Sequence, residues 1–81
     1  MPIALLSGAR TRKILAALER NWQAEVEAYH TYLALAERDN DPVRAQILRH
    51  LASAEWEHAA LWHGRILELG GTCLLYTSRC V

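Results

Sequence analysis

Three side chains stand where the hydrophobic pattern calls for apolar ones: Glu25, Glu55 and His58. Glu55 and His58 are spaced i, i+3, so on a helix they project from one face. On that stripe Leu48 and Leu51 precede them, and Trp62, Ile66 and Leu69 follow. Glu25 interrupts a second apolar stripe between Trp22 and Tyr29. Ionisable groups in an apolar seam are costly unless something compensates them. Two carboxylates and an imidazole on rigid helices suit Fe or Mn, whereas sulfur-rich sets select other metals. A complete di-metal bundle site takes one Glu from each of two helices and a Glu-x-x-His from each of two others. This chain holds one of each, which is half of such a site.

The elements that must position them are two helices. From about Thr11, a plausible N-cap, Ile14 (or Leu15), Leu18, Trp22, Glu25, Tyr29, Tyr32 and Ala36 recur at alternating steps of three and four. Arg12, Glu19, Arg20, Gln23, Glu27, Thr31 and Glu37 fall between them and suit water. Asp39-Asn40-Asp41-Pro42 breaks the pattern. Asn40 is suited to a left-handed helix end, Asp41 to an N-cap and Pro42 to the first helical position. The second helix then carries Ile47 or Leu48, Leu51, Glu55, His58, Trp62, Ile66 and Leu69, and Gly70-Gly71 ends it.

These readings predict an all-α antiparallel hairpin: a lead-in over 1–10, helices over about 11–39 and 42–69, and a distinct tail over 72–81. The short loop also serves as a ruler. Glu25 lies fifteen residues before Asn40, while Glu55 and His58 lie fourteen and seventeen after Asp41. In a hairpin all three reach one level. The competing reading of the same residues is a polar network, with Glu25 and His58 as an ion pair and Glu55 partly wet. Such pairs seldom stabilise a fold by themselves.

Other candidates are assigned plainer roles. Tyr29 and Tyr32 belong to the core or its rim, Trp22 and Trp62 to packing, and Glu57 to solvent. His30, His50 and His63 lie off the ligand stripe and read as surface or flank residues. Ala24, Ala28, Ala54 and Ala59 leave room for close helix approach.

Residues Asn21 to Gly70 resemble the first helical hairpin of a rubrerythrin-type, ferritin-like domain. The resemblance is carried by Glu25 with Tyr32 seven residues later, and by Ala52-Ser53-Ala54-Glu55-Trp56-Glu57-His58-Ala59. Asn21-Trp22-Gln23-Ala24-Glu25-Val26-Glu27, Leu33-Ala34-Leu35-Ala36-Glu37-Arg38 and Asp41-Pro42 are similar to the ferritin-like domain linked to vacuolar-iron-transporter-type membrane proteins. The resemblance implies half of a four-helix bundle. It also implies Glu25 as a bridging or terminal carboxylate, Glu55 between two metals, His58 as a terminal nitrogen ligand and Tyr32 beside them. Such families oxidise Fe(II) with oxygen or peroxide. The second hairpin of the family is not found in these residues, so a homodimer or a further hairpin would complete the site, with a membrane transporter domain possible in a longer parent.

Composition bounds the rest. Eighty-one residues make one small domain, and thirteen alanines inflate the 52% hydrophobic content. Nine basic residues balance nine acidic ones, giving no charge signal for nucleic acid. No segment approaches the roughly 20 apolar residues of a membrane span, and the apolar run Ile3–Leu6 is too short for a signal peptide. The expected setting is cytoplasmic. Cys73 and Cys80 match no zinc-knuckle spacing and are given no role. The stretch from Cys73 to Val81 resembles the translation of a transposon mosaic-end sequencing adapter, which leads us to expect a longer natural chain. A non-catalytic helical interaction module is the alternative function.

Overall fold

The computed structural model describes residues 8–74. Two helices fill them, α1 over Gly8–Arg38 and α2 over Pro42–Glu68, packed side by side as an antiparallel hairpin. The adapter-like stretch lies outside the described residues except for Cys73 and Leu74, as do residues 1–7 of the expected lead-in. No helix among the described residues is long and apolar enough to cross a membrane.

Helix α1 begins three residues earlier than its pattern suggests, so Thr11 is an interior residue and not an N-cap. Ala9 and Arg10 are good helix formers, and no proline stands between Gly8 and Pro42. The helices are consequently unequal, with 31 and 27 residues.

The turn is held by side chains. Asp41 has extended backbone angles, and its carboxylate accepts from the Val43 N–H at 2.8 Å and the Arg44 N–H at 3.3 Å. Pro42 opens α2, where its absent N–H costs nothing. Asp39 accepts from the Asp41 N–H at 2.9 Å and from Arg44 Nε and Nη2 at 2.9 and 3.0 Å. The guanidinium, and after it the Asp41 amide, hold the Asp39 carboxyl below the usual aspartate range. Asn40 does not take the expected left-handed conformation, since no residue other than glycine has positive φ among those described. With Asp39 and Asp41 supplying the turn's hydrogen bonds, no left-handed residue is needed.

Helix α2 ends in a Schellman arrangement. The Gly71 N–H reaches the Ile66 carbonyl at 2.8 Å, and the Gly70 N–H reaches that of Leu67 at 3.0 Å. Gly70 sits at φ 82°, open to glycine at little cost. Gly71 is needed for a different reason: a Cβ there would come within 2.9 Å of Leu15 and 2.7 Å of Ile66.

Packing separates the two helices. On α1 the expected stripe is turned inward: Leu15, Leu18, Trp22, Glu25, Tyr29 and Tyr32 are half-buried and Ala36 is buried. Every residue assigned to water on that helix is exposed. On α2 the face against α1 is instead Ala45, Ala52, Ala59 and Ile66, all buried and spaced by seven. Leu48, Glu55, Trp62 and Leu69 flank this line half-buried. Leu51, expected in the seam, is 42% exposed; of the two alternatives Ile47 and Leu48, Leu48 lies inward and Ile47 is 53% exposed. The stripe is thus rotated by about one residue, because alanines let the backbones approach and leave the larger side chains at the edges of the contact. Tyr29 fills part of one edge by packing on Trp56, with ring centroids 4.9 Å apart.

Candidate metal centre

The rotation of α2 decides what kind of site the hairpin can hold. Glu25 projects from α1, and Glu55 and His58 project from α2, at one level as the loop spacing requires. His58 Nδ1 lies 3.1 Å from Glu55 Oε1 and 3.3 Å from Glu25 Oε2. One donor atom from each residue falls within 4.8 Å of the other two. The glutamate side chains are 22% and 21% exposed, whereas that of His58 is 54% exposed. The three therefore converge at the rim of the interhelical contact, on a side that no other element among the described residues covers.

The donor set can be tested against an ion. Ligand atoms about 2.0–2.2 Å from a common metal lie roughly 3–4 Å from one another. The two His58 distances are of that size. Two carboxylate oxygens and one neutral imidazole nitrogen suit Fe(II), Mn(II) or a similar divalent ion. A cation would also offset the repulsion of two carboxylates held close together. In its absence an Nδ1 proton can bind the same oxygens, and metal would have to displace that proton. The residues present thus fit a metal ion but supply only three ligands.

Trp62 contributes what the apolar pattern did not reveal. Its indole Nε1–H donates to Glu25 Oε2 at 3.3 Å, on the oxygen that also faces His58. This holds the carboxylate from the opposite helix, as ligand carboxylates are commonly held. Its place one turn beyond His58 was the available signal. Tyr32, expected beside the ligands, is half-buried and makes no hydrogen bond to them among the described residues. Glu57 is exposed, as are His30 and His50.

His63 departs from expectation. It is buried, not a surface or flank residue, and its Nε2 accepts from the Leu74 N–H at 3.1 Å. The segment after α2 folds back over it, a contact that helical periodicity does not encode.

Beside the ligands an open cleft of about 450 Å³ is lined by Glu25, His58, Leu61, Trp62 and Arg65. It gives small molecules a route to the donor atoms. No protein-family model, curated protein or solved structure matches this chain.

Proposed function

We propose that this hairpin binds iron (or manganese) through Glu25, Glu55 and His58, as half of a carboxylate-bridged di-metal site of the ferritin-like kind. The convergence of three donor atoms from two helices at the rim of the interhelical contact carries this reading. A second Glu and Glu-x-x-His would complete the site, from another copy of the chain or from a further hairpin. The complete assembly would carry out ferroxidase or peroxidase-like chemistry, in iron storage, detoxification or transport. The bound metals supply the redox chemistry. The residues of this chain provide charge, orientation and access: Glu25 and Glu55 neutralise the cation, His58 adds a nitrogen donor, and Trp62 fixes one Glu25 oxygen.

Glu55→Ala separates this reading from a structural Glu–His network. Equilibrium titration of Fe(II), kept anaerobic, or of Mn(II) should show binding to the wild-type chain and none to the variant. The metal-free variant should keep its helicity and melting temperature, because the substitution removes a poorly compensated charge. Loss of helicity without metal would instead assign Glu55 to the network, and with it the role of a helical interaction module. The exposed Ile47, Leu51 and Leu61 on α2 would then serve as its docking residues.

A further inference from the structure

The cleft beside the ligands has two chemically distinct ends. At one end stand Glu25 and His58; at the other stands Arg65, two turns further along α2. Between them the wall is apolar, formed by Leu61 and Trp62. Arg65 meets Glu68 through Nη1 alone, at 3.3 and 3.4 Å. The rest of its guanidinium fork is directed to no other described partner. Seven residues separate His58 from Arg65, about 10 Å of helix rise, part of which the arginine side chain can span.

We propose that this cleft binds a short dicarboxylate together with the metal, a reading that rests on the metal site proposed above. One carboxylate would join Glu25, Glu55 and His58 in holding the metal while no second half completes the site. The other pairs with Arg65, whose planar fork suits a carboxylate. The carbon chain lies along Leu61 and Trp62. Binding is conditional on the metal, because Glu25 and Glu55 alone repel an anion. By linkage, the dicarboxylate raises metal affinity by the same factor as the metal raises its own. The cleft would thus admit metal as a small carboxylate complex.

Calorimetric titration of the full chain tests this with succinate as the dicarboxylate and butyrate as its singly charged counterpart. With Mn(II) bound, succinate should bind about tenfold more tightly than butyrate, the scale of one charge-assisted contact. Without Mn(II), neither should bind. Arg65→Gln should remove the preference and leave the affinity for Mn(II) alone unchanged, since Arg65 is exposed and outside the ligand set. Equal binding of the two acids to the Mn(II)-loaded chain, or a preference that survives Arg65→Gln, would overturn the dicarboxylate site while leaving the metal site standing. Failure of both Mn(II) and anaerobic Fe(II) to bind would overturn both.

Discussion

Two stripes run the length of α2 a few residues apart and do opposite work. Ala45, Ala52, Ala59 and Ile66 are buried against α1. Ile47, Leu51, His58 and Leu61 carry more bulk or more charge, yet face outward. Small residues make the contact, and larger ones line the open side. Helix approach through alanine costs little side-chain entropy, and it brings a carboxylate oxygen of Glu25 and one of Glu55 within 4.8 Å of each other. The exposed stripe, by contrast, would gain from a further covering element, which an isolated hairpin does not provide.

The largest expected effect comes from disturbing the alanine stripe. Ala52 is 1% exposed, so Ala52→Leu should overpack the contact and cost about 1–3 kcal/mol. Thermal unfolding should show a fall of about 4–8 °C for each kcal/mol. Leu51→Ala, one residue away on the exposed stripe, should change stability by less than about 0.5 kcal/mol. Equal losses would erase the distinction between the stripes. Next in size is the cap: Asp41→Ala should cost about 1 kcal/mol by freeing the Val43 and Arg44 amides, read as a shift in urea midpoint.

Trp62→Phe sharpens the comparison from the site's side. It keeps the ring in place but removes the donor to Glu25 Oε2. Metal affinity should fall about tenfold, as for other groups that orient ligands, with helicity unchanged; an unaltered binding isotherm would reduce Trp62 to packing. The smallest effect belongs to the turn. Because Asp39 is held below its ordinary value by Arg44 and the Asp41 amide, it contributes stability above about pH 3.9. That contribution is lost as pH falls through the lowered value. Asp39→Asn should therefore lower the urea midpoint slightly at pH 7, and its difference from wild type should shrink as pH falls below about 3.9.

The hairpin and the shared level of Glu25, Glu55 and His58 were legible because they depend on helix period and on residue counts from a short turn. The cap was legible because Asp41-Pro42 has a local hydrogen-bonding logic. The rotation of α2 was less so. A seam read from bulky residues passes through Leu51, but close packing favoured the alanines beside it. His63 eluded the pattern because the seam was read one residue off: it stands four residues after Ala59 and three before Ile66, on the face that is buried. The Trp62–Glu25 hydrogen bond joins residues 37 apart through a side-chain orientation that spacing does not set.

Metal at the open rim is the interaction on which the proposed function depends. Thermal unfolding of the intact chain with and without Mn(II) or anaerobic Fe(II), with mass measured in parallel, tests it most directly. An ion that binds only the folded state raises the melting temperature. Wild type should show that rise, accompanied by dimer if a second copy completes the site, and Glu55→Ala should show none. An unchanged melting temperature and mass at saturating metal would contradict metal binding at the rim.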